Sequence, residues 1–300
     1  MMKNLRDNCE AILITGPTAG GKSALALDLA TRHGGVVINA DSMQVYDTLQ
    51  VLTARPSAAE TADLPHLLYG HVPATAAYST GEWLRDVSTL LVTLREEGRL
   101  PVFVGGTGLY FKALTGGLSD MPDIPGEIRD GLRARLVEEG PELLHGELQR
   151  CDPAMAVRLS ASDGQRIVRA LEVMTATGQS IAAFQERKGP VIIDPDRAEK
   201  IVVLPGRSAL HRRINQRFEI MLETGAVDEV RALLALRPPA DAPVLKAIGV
   251  AEIAGLIAGT MSREQVIERG SALTRQYAKR QMTWFRNQMD DSWLRFDPLA

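Results

Sequence analysis

Cysteine is scarce, with two residues in 300, Cys9 and Cys151. Neither has a second thiol or a histidine at metal-ligand spacing, which argues against a zinc site and a disulfide framework and makes a reducing cytoplasm the expected compartment. No apolar run reaches the roughly 18 to 20 residues of a membrane span. The opening residues, MMKNLRDNCE, are polar and run straight into a short strand, so neither export nor anchoring is expected. An excess of positive charge is also missing. Thirty-four basic against 37 acidic residues leave a net charge of −3, so the field of the whole molecule would not attract nucleic acid and any RNA surface must be local. Internal repeats and low-complexity tracts are absent. What is present is 45% hydrophobic residues, enough to bury the core of one large domain or two modest ones.

From Ala11 the chain reads as an apolar run (AILIT), a glycine loop (GPTAGGKS), a helical stretch (ALALDLATRH) and a second apolar run ending in GGVVINADS. That is a βαβ unit. A third short strand is expected at Pro101 to Val104, after a helix from about Thr80 to Glu97, and strands alternating with helices imply a parallel sheet covered on both faces. Between about Ser119 and Lys200 turn signals such as SDMPDIPG, CDP and ERKGP separate helical patterns without a convincing strand. Here Ser162 and Gln165 have capping-box spacing before a helix, QRIVRALEVMTATG, that stops at Gly178. A strand at Ile201 to Gly206 then returns to the sheet, and the rest reads as helix interrupted by RPPADAP. The expected fold class is therefore α/β, a P-loop-type core with a central parallel sheet flanked by helices and an inserted all-helical domain. The boundaries are 1–118 and 201–300 for the core and 119–200 for the insertion.

Gly16, Pro17, Thr18, Ala19, Gly20, Gly21, Lys22 and Ser23 match G-x-x-x-x-G-K-[ST] after a strand and before a helix, the context that pattern requires. Backbone amides turn toward an anion at the helix N-terminus, Lys22 adds a point charge, and Ser23 can hold a magnesium ion bridging phosphate oxygens. A group with two or more phosphates is expected here, whether a phosphoryl group is transferred or merely held. No N-K-x-D guanine-reading motif occurs, and the third strand ends in Gly105 and Gly106 where a second-motif aspartate would stand. GTPase and motor-ATPase readings weaken accordingly. Asp41 falls just past the carboxyl end of the second strand, the sheet edge where ligands bind. It could serve as a magnesium-liaison residue or Asx-turn cap, or as a base or acceptor near a reacting atom.

Taken together, GPTAGGKS, DSMQVY, the TARP at Thr53 to Pro56, VGGTGLYFKAL, SDGQRIVRALEV, HRRINQRFEIML and TRQYAKRQMTWFR resemble the tRNA dimethylallyltransferase family, in family order from about Ile14 to Arg286. The resemblance implies that the P-loop holds the diphosphate of dimethylallyl diphosphate, with Mg2+ as cofactor, and that the prenyl group passes to the exocyclic amine of an adenine 3′-adjacent to the anticodon, in tRNAs reading codons that begin with U. It implies catalytic roles for Asp41, Thr107 and Arg217. It further implies tRNA contacts at Asp41, Ser42, Met43, Gln44, Thr107, Arg129, Gln165, Arg166, Ile167, Val168 and Arg169, and in the segment Lys246 to Glu252, with Lys246 and Gly249 singled out. A base in an anticodon loop is extruded for such chemistry. Read without the resemblance, Arg217, Arg166 and Arg169 would be solvated helix arginines. On the last long helix Arg275, Lys279 and Arg286 fall within about 40° of one another, opposite Tyr277, Trp284 and Phe285, a basic stripe that is either a solvated face or an RNA surface.

Departures from the family pattern are Gly20 in place of the usual serine, a missing second histidine in PHLLYGHV, and Val250 in place of the usual tyrosine. The lack of a zinc-finger extension suggests the bacterial type, and a monomer is expected. Two rival activities remain open: an adenylate isopentenyltransferase acting on free AMP, ADP or ATP, and a P-loop small-molecule kinase that would consume ATP. A non-enzymatic RNA-binding module would not need the phosphate apparatus.

Overall fold

A computed structural model describes residues 8–298, so most of the polar opening segment, MMKNLRD, lies outside the described residues. Its contacts divide the chain into two compact units, residues 116–191 and the remainder.

The larger unit is built on one six-stranded sheet, order β3-β2-β4-β1-β5-β6, in which every pairing is parallel. β1 (Ala11–Thr15) lies at its centre and is entirely buried. β2 (Val36–Asn39) and β4 (Pro101–Gly105) are equally buried, as continuous apolar strands covered on both faces must be. The two-residue β3 (His66–Leu67) and the three-residue β6 (Leu294–Phe296) close the sheet edges. Both are corrections to the sequence reading, which found no strand at either place; runs so short and only partly covered carry no alternation to detect. β5 (Ala198–Val203) starts and ends three residues earlier than expected, because its opening residues include the charged Glu199 and Lys200, which an apolar pattern does not pick up. Lys200 is 9% exposed, its aliphatic stem serving as core.

Helix α1 (Lys22–Arg32) follows the glycine loop and presents Ala26, Leu29 and Ala30 to the sheet. α2 (Thr80–Glu96) opens with a complete capping box, Ser79 against Glu82. Its Trp83 stacks on Tyr110 of α3 (Gly108–Gly116), ring centroids 4.1 Å apart.

The smaller unit is helical: α4 (Gly126–Glu139), α5 (Pro141–Cys151), α6 (Pro153–Arg158), α7 (Gly164–Thr177) and α8 (Ile181–Gln185). Ile167, Val168, Leu171, Leu144 and Leu148 form its core. α7 ends at Gly178 in the left-handed conformation, as the sequence suggested. Its N-cap, however, is Asp163 rather than Ser162: the Asp163 carboxylate accepts from the Arg166 amide while Ser162 pairs with Ser160. Asp163 directly precedes the first helical residue, so its N3 amide is that of Arg166, one residue beyond the Gln165 amide that a Ser162 cap would take.

The chain then completes the larger unit with α9 (Arg207–Glu223), α10 (Ala226–Ala235), a 3₁₀ turn at Pro243–Lys246, α11 (Val250–Ile257) and α12 (Arg263–Gln288). Phe218, Val230, Val244, Ile253 and Val266 pack with Tyr46 and Leu49 from the loop after β2. That second core fastens the loop carrying DSMQVY to helices in the last third of the chain. No helix among the described residues is long and apolar enough to cross a membrane.

Candidate active site

β1 and β2 deliver their loops to the same sheet edge, and a cavity of about 480 Å³ opens there. Thr18 to Ser23 form one wall, Asp41 and Gln44 a second, Arg213 and Arg217 of α9 a third, and Tyr69 with Val104 the inner surface. Gly21, with φ at +93°, makes the turn into α1, a backbone state that costs a side-chain-bearing residue energy. Lys22 folds back so that its ammonium donates to the Pro17 carbonyl at 2.7 Å. Burial pushes its pKa down to about 8, against the pull of Asp41, and Arg217 pushes the same way as burial. Arg217 donates to the Thr18 hydroxyl, and its own pKa is lowered to about 10, chiefly by burial. Two cations held inside one cavity are costly unless an anion joins them, so the arrangement is built to receive negative charge.

The turn at Asp41 is constructed by Asn39, whose importance the sequence reading did not see. The Asn39 side chain accepts from the Asp41 amide at 2.9 Å and donates to the carbonyls of Asp41 and Leu68 at 3.0 Å each. Asp41 Oδ1 accepts from the Met43 amide at 3.0 Å, an Asx turn, so that bland alternative is realised. The other oxygen remains turned inward: a Cβ placed on Gly106 would lie 3.2 Å from Oδ2. One residue therefore performs both tasks, its carboxylate fixing the loop through Oδ1 while Asp41 lines the cavity.

Thr107 accepts from the Ser42 amide at 2.9 Å and donates to the Ser42 hydroxyl at 3.2 Å, tying the β4–α3 loop to the Asp41 loop. Gln44 lines the cavity and donates to the carbonyls of Thr53 and Ala54 at 2.9 and 3.0 Å. That accounts for TARP physically, since Arg55 in turn donates to the carbonyls of Tyr46 and Asp47. Met43 packs on the second core.

A second residue missed in the sequence is Gln281 of α12. Its side chain is 6% exposed; Oε1 accepts from the Thr18 amide at 2.9 Å and Nε2 donates to the Gly106 carbonyl at 2.9 Å. In TRQYAKRQ it is one polar residue in a polar helix, with no spacing that would distinguish it.

The other expected positions divide by environment. Lys246 is exposed, whereas Gly249 is buried, where a Cβ would meet Leu52 at 2.8 Å and Phe218 at 3.3 Å. A packing demand therefore explains that glycine. Arg129 and Gln165 to Arg169 belong to the helical unit. Gln165 and Arg166 are exposed and Arg169 pairs with Glu172 at 3.0 Å, but Ile167 and Val168 are core residues whose side chains present no surface. On α12, Arg275, Lys279 and Arg286 share a groove of about 390 Å³ with Arg207 and His211 of α9. The His211 pKa is lowered by burial and by Arg207 and Arg275, so the groove is already crowded with positive charge.

Comparison with known proteins agrees with this geometry. The profile of the IPP transferase family matches residues 44–288, and that of a family described as Isopentenyl transferase matches residues 9–68. A tRNA dimethylallyltransferase of Rhizobium johnstonii is 71% identical over 294 residues, covering 98% of this chain and 99% of that protein. One of Agrobacterium fabrum is 68% identical over 298 residues, 99% of this chain and 100% of that protein. The crystal structure of a full-length tRNA isopentenylpyrophosphate transferase from Bacillus halodurans superposes with a TM-score of 0.67 at 33% identity, covering 96% of this chain and 90% of that one. A eukaryotic dimethylallyltransferase acting on tRNA superposes with a TM-score of 0.77 at 27% identity, over 92% of this chain and 70% of that one. With its profile matched over most of its length and relatives aligned nearly end to end, the chain belongs to the IPP transferase family.

Proposed function

We propose that this protein is a tRNA dimethylallyltransferase, an enzyme transferring the dimethylallyl group of dimethylallyl diphosphate to the exocyclic amine of an adenine beside the anticodon. The observation that carries the reading is a single cavity lined by both the P-loop residues Thr18 to Ser23 and a carboxylate, Asp41, with no second-motif aspartate at the end of β4. A phosphoryl-transfer enzyme would be expected to place an acidic residue there.

In this reading the amides of Thr18 to Ser23, Lys22 and Arg217 hold the diphosphate. The adenine nitrogen attacks the allylic carbon and forms the new C–N bond. The C–O bond breaks with its electron pair leaving on diphosphate, and the amine proton passes to Asp41. Lys22 and Arg217 are stronger attractors for the departing charge than for the substrate, because that charge grows as the bond breaks. Asp41 acts on a poor nucleophile, whose lone pair is delocalised into the ring; taking its proton raises the electron density on the attacking nitrogen.

Mg2+ fits the donors present: the Ser23 hydroxyl and the Asp41 carboxylate line the same cavity, and a hard ion that keeps several waters needs few protein ligands beside phosphate oxygens. When bound it would neutralise diphosphate charge. Among the described residues no cluster of three or more His, Cys, Asp or Glu could hold a metal by itself.

The acceptor is read as an anticodon stem-loop, its target adenine extruded toward Asp41 to Gln44, with Gln165, Arg166 and Arg169 of the helical unit, Arg129, Lys246 and the α9–α12 groove as candidate RNA contacts. Ser42 and Thr107 hold the Asp41 loop to the β4–α3 loop. Domain roles follow: prenyl transfer in the sheet-bearing unit, with RNA contacts contributed by both units. Cytoplasmic tRNA and a reducing compartment suit the two cysteine thiols. The test is to supply labelled dimethylallyl diphosphate, magnesium and either an anticodon stem-loop with consecutive adenines or free AMP. Label on the stem-loop supports the reading; label on AMP moves the protein to free-adenylate prenylation, and consumption of ATP without prenyl transfer reinstates a kinase.

A further inference from the structure

Three loops must hold register for this cavity to work: the P-loop, the β4–α3 loop and the Asp41 loop. The last two are joined through Thr107 and Ser42. Between the P-loop and the β4–α3 loop, Gln281 is the side chain that hydrogen-bonds to both, and it comes from neither. Its two bonds use opposite halves of one amide: the carbonyl oxygen takes the Thr18 amide and the NH2 gives to the Gly106 carbonyl, each at 2.9 Å. No other side chain of this size carries a neutral acceptor and a neutral donor fixed about 2 Å apart.

The surroundings are shaped for it. The backbone at Gly106 comes so close that a Cβ there would collide with Gln281 Nε2 and crowd Asp41 Oδ2. At Gly108 a Cβ would strike the Trp284 ring, one turn further along α12. Thr18, gripped through its amide by Gln281, is gripped through its hydroxyl by Arg217. The P-loop is thereby suspended between α9 and α12 at one residue.

We infer that Gln281 is a positioning residue, a clamp from α12 that sets the diphosphate loop against the Asp41 side of the cavity; this rests on the prenyl-transfer reading of the site. It touches no substrate in this role. It fixes the distance between the group that holds the leaving diphosphate and the carboxylate that receives the proton, and small misplacements of that kind are expensive in rate. Because α12 also bears Arg275 and Lys279, the clamp gives RNA docked on that helix a rigid connection to the donor loop.

The test compares wild type with Gln281→Met, which keeps volume and loses both bonds, and Gln281→Glu, which keeps the acceptor and loses the donor. Inorganic diphosphate with magnesium is titrated by calorimetry, and the KM of each substrate and kcat are measured alongside Tm. In Gln281→Met, diphosphate Kd and donor KM should rise together by about tenfold, the worth of one to two buried hydrogen bonds, and kcat should fall. The stem-loop KM should stay within about twofold. In Gln281→Glu the defect relative to wild type should shrink as pH falls, since a protonated carboxyl regains the donor. Unchanged diphosphate affinity in Gln281→Met, or equal rises in both KM values, would overturn the clamp, as would a pH-independent defect in Gln281→Glu if Gln281→Met proves too unstable to assay. Should wild type transfer no prenyl group, the parent reading fails separately, and the clamp stands or falls on diphosphate affinity alone.

Discussion

Lys22 offers the sharpest statement at the residue scale. Its folded pKa of about 8 lies below the ordinary 10.5, so between those values the unfolded chain binds more protons than the folded one. Stability attributable to this group should therefore rise with pH across that window. Ligand binding should run the other way, because a diphosphate favours the ammonium. Calorimetric titration with diphosphate at pH 8.5, in two buffers of different ionisation enthalpy, should show proton uptake, and Lys22→Met should abolish it. Binding without uptake would mean that the ammonium is not at the anion. The P-loop was legible because its chemistry is written in consecutive residues. Asn39 and Gln281 were not, because a side-chain amide acquires meaning only from partners brought to it by the fold, and Gln281 reaches 263 residues back to Thr18.

Among the elements, the segment Leu49 to Arg55 is fixed from α10. The Glu229 carboxylate accepts from three successive amides, Gln50 and Leu52 at 3.0 Å and Val51 at 2.7 Å. Glu229→Ala leaves three donors without their acceptor, and a loss of about 1 to 3 kcal/mol is expected, read as a lower denaturation midpoint. Since Gln44 is bonded to the carbonyls at the end of that segment, the same variant should raise the stem-loop KM more than the donor KM; an unchanged midpoint would contradict the packing described. The core strands and long helices could be read from the sequence because each is either continuously apolar or regularly amphipathic. β3 and β6 could not, since their existence depends on neighbours rather than on their own residues, and the cap at Asp163 rather than Ser162 shows how two adjacent polar residues each offer a plausible start, one residue apart.

For the whole molecule, a net charge of −3 confines RNA attraction to local patches. The logarithm of stem-loop affinity should fall against the logarithm of salt concentration with the shallow slope of a few phosphate contacts, far from the slope of about ten found for strongly electrostatic binders. Arg166→Ala is the clean probe of the helical unit. Its side chain is 75% exposed and its ion pair with Asp163 is a surface one, so stability should stay within about 0.5 kcal/mol while the salt slope drops by about 1. Arg169→Ala would be ambiguous, because it also strips the partner from buried Glu172. A slope unaffected by Arg166→Ala would remove that arginine from the RNA surface.

In the proposed reaction Asp41 is the group at the reacting end of the cavity. The direct measurement is single-turnover prenyl transfer to a stem-loop by wild type and Asp41→Asn, with dimethylallyl diphosphate saturating. Asn keeps the side-chain oxygen that caps the Met43 amide and loses the proton acceptor. The expected result is transfer slowed by about 10²- to 10⁴-fold with donor still bound; transfer at the wild-type rate would contradict the assignment.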